Sequence, residues 1–147
     1  MSYQHILVPI DGSDISYSAI RHAAEIAKTF GSKVTAISVV SEDPFAAADF
    51  YYTSAMLKDY VKEAVKNAEE SLVKAEQIAQ QQGITISTQV IKDAVSAETV
   101  VATAEELKTD LIVIGSHGRK GFQKFFLGSL AQDVLNHTQL PVLIVKQ

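Results

Sequence analysis

Short runs of β-branched and aliphatic residues alternate along the chain with longer stretches whose apolar residues recur every three or four positions. Strands are predicted at 6–8, 34–40, 84–91, 111–114 and 141–145, and helices at 15–30, 56–82, 96–107 and 128–136. Because parallel strands must be joined by crossovers, this alternation is typical of βαβ units with helices on both faces of a sheet. We therefore predict an α/β fold with a parallel sheet, and a length of 147 residues suits a single domain over 1–147.

The predicted strands differ in how much of each is apolar. Those at 6–8, 111–114 and 141–145 are continuous aliphatic runs, which indicates burial on both faces of the sheet. The strand at 84–91 alternates apolar and polar residues, so we expect it to be half-exposed near an edge. The connector at 41–54 is long and aromatic, and we interpret it as a loop folded over the domain edge rather than a lid over a ligand.

Composition excludes several classes of protein. The net charge is −4 and the pI about 5.5, whereas general nucleic-acid binding needs a basic surface, so no nucleic-acid partner is expected. Without cysteine the chain has no disulfide framework, thiolate zinc site or cysteine nucleophile. No apolar run approaches the ~20 residues that cross a bilayer, and residues 1–14 do not resemble a signal peptide, which predicts a cytoplasmic protein without a membrane partner.

Two loops at the expected carboxyl ends of strands have unusual compositions. Residues 9–13 (PIDGS) follow the first strand, and residues 115–129 (GSHGRKGFQKFFLGS) follow the fourth. In open parallel sheets, ligands bind beyond the carboxyl ends of the strands, at the point where the winding direction reverses. If the first and fourth strands are neighbours, both loops face the same crevice.

The second loop combines glycine, positive charge and a helix start. Gly115 and Gly118 remove side chains where the chain leaves the sheet, so main-chain N–H groups can approach a ligand closely. Gly128 and Ser129 open the next helix, whose unpaired amides and dipole present about half a positive charge. The segment 111–132 contains no acidic residue but has three cationic ones, Arg119, Lys120 and Lys124. These features together favour binding of phosphate without a metal ion.

Each of these residues also has a purely structural interpretation. The glycine pair after the strand could serve only the turn, and Ser129 could be no more than an N-cap. Asp11 could be the start signal of the first helix, and His117 could be an exposed loop residue. Their convergence on one edge of the sheet is what favours a ligand site.

Gly115-x-x-Gly118, followed after nine residues by Gly128-Ser129, resembles the G-2x-G-9x-G-S/T signature of the universal stress protein family. The segments HILVPIDGSD, DLIVIGSHG and LPVLIVK also stand at their family positions, so the resemblance extends over the whole chain. It implies a Rossmann-like sheet of five parallel strands in the order 3-2-1-4-5. It also implies the branch of the family that binds ATP, because the glycine signature is intact.

The resemblance implies roles for residues of both loops. It places Asp11 near the adenine or the ribose, and it sets three apolar residues beside the adenine, Pro9, Val39 and Ile114. Along the ribose and the phosphates it sets residues of the glycine signature and of the helix that follows, namely Gly115, His117, Gly118, Gly128, Ser129, Leu130 and Ala131.

Catalysis beyond slow ATP hydrolysis is not expected. The sequence has no Walker motif, and Asp11 and Asp14 are the acids at this edge that could hold Mg²⁺. We therefore expect ATP, with or without Mg²⁺, to act as a regulatory ligand in a stress response, with no catalytic residue and no metal site of the protein's own. The alternative is a nucleotide-free dimeric scaffold or interaction module of the same fold.

Two other phosphate chemistries are disfavoured. A receiver-like phosphorylation switch would use Asp11, Asp93, Ser116 and Lys146, but Lys146 is the penultimate residue and has no following loop to present it. A haloacid-type phosphatase needs an aspartate nucleophile at the position that Pro9 occupies.

The last strand carries the prediction about protein partners. In the order 3-2-1-4-5 it lies at an edge, and residues 140–145 are too apolar to leave exposed, with only Lys146 as a charged guard. Antiparallel pairing of two copies would satisfy its free backbone groups, and the family resemblance points the same way. We therefore predict a homodimer through Leu140 to Val145.

Overall fold

The computed structural model describes residues 2–42, 53–118 and 127–146. Within these ranges strands and helices alternate along the chain: β1 (His5–Pro9), α1 (Asp14–Phe30), β2 (Lys33–Val40), α2 (Ser54–Gln81), β3 (Ser87–Lys92), α3 (Ala97–Glu106), β4 (Leu111–Gly115), α4 (Ser129–His137) and β5 (Val142–Val145). Most of the aromatic connector and the cationic side chains Arg119, Lys120 and Lys124 lie outside the described residues. Among the helices that are described, none combines the length and the apolar character needed to cross a membrane.

The described strands form one parallel sheet in the order β3-β2-β1-β4-β5. Ile6 of β1 pairs with Val34 of β2 on one side and with Leu111 of β4 on the other. The predicted α/β fold and the strand order implied by the resemblance are therefore confirmed. Because β1 and β4 are neighbours, the loops that follow them open at the same edge of the sheet.

Each face of the sheet carries its own apolar core. Ile6 and Val8 of β1 pack with residues of α1 and α2, whereas Leu7 packs with residues of α3 and α4. Every residue of β4 is buried, so the predicted burial on both faces is confirmed for these two strands. It is wrong for β5, which is the last strand of the sheet: Leu143 is 38% exposed, and only Val145 is fully buried.

The third strand begins three residues later than predicted, at Ser87. Gly83 adopts a left-handed conformation with φ of 81°, and the N–H of Ile84 donates a hydrogen bond to the carbonyl of Ala79 at 3.0 Å. This is the arrangement of a Schellman cap, so Ile84 closes the end of α2 and packs on the core instead of joining the sheet. The expected half-exposure of the strand is observed along Ser87–Lys92.

Candidate functional site

The predicted site residues lie around one cavity at the carboxyl ends of β1, β2 and β4. The cavity has a volume of about 710 Å³. Its wall includes every site residue expected from the sequence: Pro9, Asp11, Val39, Ile114, Gly115, His117, Gly118, Gly128, Ser129, Leu130 and Ala131. The strand order thus brings together residues from three distant parts of the chain.

One part of the cavity is an apolar slot. Pro9, Val39 and Ile114 stand at the ends of β1, β2 and β4, and Val100 and Leu130 approach from α3 and α4. Apart from Pro9, these side chains belong to the core between the sheet and the α3/α4 pair. Apolar walls with a few polar groups nearby are typical of ligand pockets, and this slot suits a flat heterocyclic ring.

A second part of the cavity is formed by the first turn of α4. Gly128 is the N-cap in an extended conformation, and its N–H donates to the carbonyl of Ser116 at 2.6 Å. The first helical hydrogen bond runs from the N–H of Gln132 to the carbonyl of Gly128. The amides of residues 129–131 therefore precede the helical ladder, and none of them donates to another described residue. Such unpaired amides at a helix start attract an anion.

The glycines of the signature occupy positions where a side chain would press on this loop. A Cβ at Gly128 would lie 3.1 Å from the Cα of His117 and 3.2 Å from the carbonyl oxygen of Ser116. A Cβ at Gly118 would lie 2.7 Å from an Oδ atom of Asp11, and one at Gly115 would lie 3.1 Å from Ile15. Small residues are therefore required for the two loops to approach each other.

Asp11 organises the loop after β1. Its Oδ1 accepts hydrogen bonds from the N–H and the hydroxyl of Ser13, and the Ser13 hydroxyl in turn accepts from the N–H of Ser16. Ser13 is therefore the N-cap of α1, so the interpretation of Asp11 as the helix start is wrong. Asp14, the other acid that the sequence suggests for Mg²⁺, is exposed in the first turn of α1. Among the described residues, no cluster of three or more acidic or histidine side chains could hold a metal ion.

Ser116 ties the site to the last strand. Its N–H donates to the carbonyl of Val145 at 2.8 Å, its carbonyl accepts from Gly128, and its hydroxyl lies 3.1 Å from the Nδ1 of His117. His117 is half-buried, and its ring lies within hydrogen-bonding distance of the Ser116 hydroxyl. It is therefore not the exposed loop residue that a purely structural role would predict. Sequence reasoning did not identify this buried serine as an anchor of the loop.

The cavity also includes residues that no sequence motif singles out. They come mainly from α1, β2 and α2, and include Ser16, Ser38, Tyr60, Asn67 and Ser71. The three from α2 are spaced by seven and four positions, which puts them on one face of the helix, but this spacing is also that of an ordinary core-facing stripe.

The comparison with known proteins covers nearly all of the chain. Residues 2–146 match the sequence model of the "Universal stress protein family". The chain belongs to the universal stress protein family. The resemblance drawn from the glycine signature is thereby confirmed. A universal stress protein of Methanocaldococcus jannaschii is 37% identical over 145 residues, which are 99% of this chain and 83% of that relative.

Solved structures of universal stress proteins have the same fold. The UspA protein of Lactobacillus plantarum superimposes with a TM-score of 0.83 at 24% identity, over 99% of both chains. Another universal stress protein, solved in complex with cAMP, superimposes with a TM-score of 0.68 at 25% identity, over 99% of this chain and 98% of that one.

Proposed function

We propose that this universal stress protein binds ATP in the cavity at the carboxyl ends of β1 and β4, and that the nucleotide regulates its part in a cytoplasmic stress response. The observation that carries the proposal is that the amides at 129–131, beside the apolar slot, donate to no other residue in the described part of the chain. A nucleotide joins the two groups that these features suit, an anion and a flat base. The solved relative with cAMP supports an adenine nucleotide as the ligand.

The adenine would lie in the apolar slot. Pro9, Val39 and Ile114 would pack against the ring, and Asp11 would lie at the edge of the base or beside the ribose. Because the slot is formed by side chains packed in the core, the base would bind without reorganisation of the sheet.

The ribose and the phosphates would follow the glycine signature towards α4. Gly115, His117 and Gly118 would line the ribose and the first phosphate. The later phosphates would accept hydrogen bonds from the amides at 129–131 and from the hydroxyl of Ser129. Charge-assisted bonds of this kind are stronger than neutral ones, which favours ATP over adenosine.

We expect hydrolysis of the bound ATP to be slow at most. Phosphoryl transfer needs a positioned nucleophile and a charge clamp at the last phosphate. Asp11 is engaged by Ser13, and His117 is held by Ser116, so neither side chain is set as a free base in the cavity. Mg²⁺ would enter on the phosphates, and among the described residues Asp11 is the carboxylate that lines the cavity.

Thermal melting with and without ATP and Mg²⁺ tests the proposal. At a ligand concentration of 100 times the dissociation constant, the protein should gain about 2.7 kcal/mol of stability, which raises its melting temperature by several degrees. Gly118→Val and Gly128→Val should each abolish the rise in melting temperature, because the branched side chains would crowd the loop that is proposed to hold the phosphates. Ala102→Val, on the exposed side of α3, should keep it. Equal shifts in all four proteins would place the ligand elsewhere and contradict the proposal.

A second candidate function is that of a dimeric scaffold without nucleotide. The exposure of the last strand favours a homodimer in both cases. Leu143 of the edge strand is 38% exposed, beside the half-buried Val142 and Ile144. An apolar edge strand is prone to pair with another strand, so we propose that two copies associate through Leu140 to Val145. Mass spectrometry of small molecules released from the purified protein separates the two functions, because an empty scaffold releases no nucleotide.

A further inference from the structure

The cavity extends past the apolar slot to the opposite face of the sheet. Ser38 lies between Ile37 and Val39, both of which pack towards α3 and α4, so its side chain is on the α1/α2 face. On that face the cavity wall consists of residues from α1, β2 and α2. We call this part the serine lobe and define it by Ser16, Ser38, Ala64, Asn67, Ala68 and Ser71.

Small side chains on α2 make the room for the serine lobe. Ala64, Asn67, Ala68 and Ser71 stand at positions i, i+3, i+4 and i+7, so they form one stripe of the helix. Ala68 and Ser71 are buried, and Ala64 is half-buried. Larger side chains at these positions would fill the space between α2 and the end of β2.

Ser38 is the observation that points to a ligand. The residue is only 6% exposed and lines the cavity, and its hydroxyl makes no hydrogen bond to any described residue. Among the described residues no fully buried side-chain N or O atom lacks a partner, so the hydroxyl of Ser38 is open to the cavity. A hydroxyl in this position bonds to water or to a ligand. The hydroxyl therefore has its full donor and acceptor capacity for a molecule in the lobe.

Two further hydroxyls leave acceptors for the same molecule. The hydroxyl of Ser16 donates to the carbonyl of Ser13 at 2.7 Å, and that of Ser71 donates to the carbonyl of Asn67 at 3.0 Å. Each donor is used inside its own helix, so each oxygen keeps lone pairs for an incoming hydroxyl group. Ser16 is 4% exposed and Ser71 is 9% exposed, so both are as deeply placed as Ser38.

The serine lobe has no ionised side chain among its six residues. Asp11 is the carboxylate on the cavity wall among the described residues, and it faces Gly118 on the nucleotide side. A charged ligand would lose its hydration in the lobe without gaining a counter-charge. The lobe therefore suits an uncharged molecule whose hydroxyl groups replace water.

We propose that the serine lobe is a second binding site, which takes a small uncharged polyhydroxylated molecule. Its hydroxyl groups would bond to Ser16, Ser38 and Ser71, and its carbon chain would lie on Ala64 and Ala68. The site is independent of the proposed nucleotide function, because it uses neither the glycine signature nor the first turn of α4.

Saturation-transfer NMR with ribitol as the probe tests this proposal. We expect transfer to ribitol with the wild-type protein and with Ala102→Leu, which adds the same bulk on an exposed part of α3. Ala64→Leu should abolish the transfer by filling the lobe. Ser38→Ala, which adds no bulk, should weaken the apparent affinity about twofold to tenfold through loss of one hydrogen bond. Ribonate, which has the same carbon chain with one carboxylate, should give less transfer than ribitol.

The outcomes separate this site from the nucleotide site. Gly128→Val should lose the rise in melting temperature with ATP and keep the saturation transfer to ribitol. Ala64→Leu should keep the rise with ATP and lose the transfer to ribitol. No transfer in the wild-type protein would show that the lobe holds only water and would overturn the proposal. Equal transfer in wild type, Ala64→Leu and Ser38→Ala would overturn it as well, because ribitol would then bind elsewhere.

Discussion

A methyl group meets different atoms at Gly118 and at Gly128. At Gly128 it would press on the backbone of Ser116 and His117, at 3.2 and 3.1 Å. At Gly118 it would meet the end of the Asp11 side chain instead, at 2.7 Å. The two glycines of the signature therefore differ in what they contribute to stability.

Gly128→Ala is expected to destabilise the protein by about 1–3 kcal/mol, because a crowded backbone must shift. Gly118→Ala should cost less, since the end of one side chain shifts more easily than a crowded backbone. Chemical denaturation of both variants measures the two free energies of unfolding. If Gly118→Ala were the more damaging of the two, the described packing of this loop would be wrong.

The first turn of α1 offers a second test. Ser13→Ala should lower the free energy of unfolding by about 0.5–2 kcal/mol, because the N–H of Ser16 loses its capping oxygen. Ser13→Asn, which keeps an acceptor at the same position, should remain near wild type in the same denaturation experiment. Similar losses in both variants would show that the cap is not what Ser13 contributes.

Site residues that belong to a motif with a known chemical purpose could be predicted from the sequence. Gly118, Gly128 and Ser129 stood out because glycine and a helix start together suit an anion. Ser38 and Ser116 did not stand out, because a serine inside or just after an aliphatic strand has no local signature. Their roles depend on which strands and helices become neighbours, and that information is spread over the whole chain.

At the scale of the elements, an exposed contact between Glu98 and His137 links α3 and α4, and it is an ion pair when His137 is protonated. The Nε2 of His137, at the end of α4, lies 3.5 Å from the Oε1 of Glu98, in the first turn of α3. A hydrogen bond from its own backbone N–H, the hydroxyl of Ser96 and the nearby His137 hold the pKa of the Glu98 carboxyl below its ordinary value. The carboxylate is therefore favoured in the folded state.

Glu98→Gln is expected to lower the melting temperature slightly at pH 7. Because the folded-state pKa is depressed, the contribution of Glu98 is present above its unfolded-state pKa and is lost as the pH falls through the folded-state pKa. The difference from wild type should thus shrink in acid. Glu105→Gln, on the exposed side of the same helix, is the control. A difference that stays constant from pH 7 to acid would contradict the assignment.

The edge strand β5 gives the test of the proposed homodimer. Leu143→Lys should convert the dimer to a monomer in sedimentation at micromolar protein, because a charge would enter the apolar strand pairing. Lysines at Val142 and Ile144 should act in the same direction, but these side chains also pack against the α3/α4 core, so they test folding as well. Leu135→Lys, at the 40% exposed leucine of α4, is the matched control. A wild-type monomer would contradict the homodimer.

The elements themselves were predictable where local signals agree. Helix α1 has periodic apolar residues and ends at Gly31, whose φ of 71° only glycine adopts readily. The start of β3 was not predictable, because an apolar residue at position 84 suits both a strand and a helix cap. The hydrogen bond from the N–H of Ile84 to the carbonyl of Ala79 shows that it belongs to the cap. The exposure of β5 follows from its place in the sheet rather than from its composition.

At the scale of the whole molecule, the two ends of the sheet have different tasks. At the amino end, the Asp110 carboxylate accepts N–H groups of Gln4 and His5, and the His5 ring bonds to Thr35 and Leu107. These contacts join the starts of β1, β2 and β4 and serve stability. At the carboxyl end the same strands continue into loops, and the cavity lies between these loops. This division puts the ligand site where parallel sheets have their switch point.

The most direct measurement is a titration of the isotope-labelled protein with ATP, followed by the chemical shifts of its backbone amides. The account predicts saturable shifts at Gly118, Ser129, Leu130 and Ala131, and none at Gln4 and His5 on the opposite end of the sheet. Unchanged amides at 129–131 at millimolar ATP, or shifts confined to another surface, would contradict the claim that the start of α4 binds the phosphates.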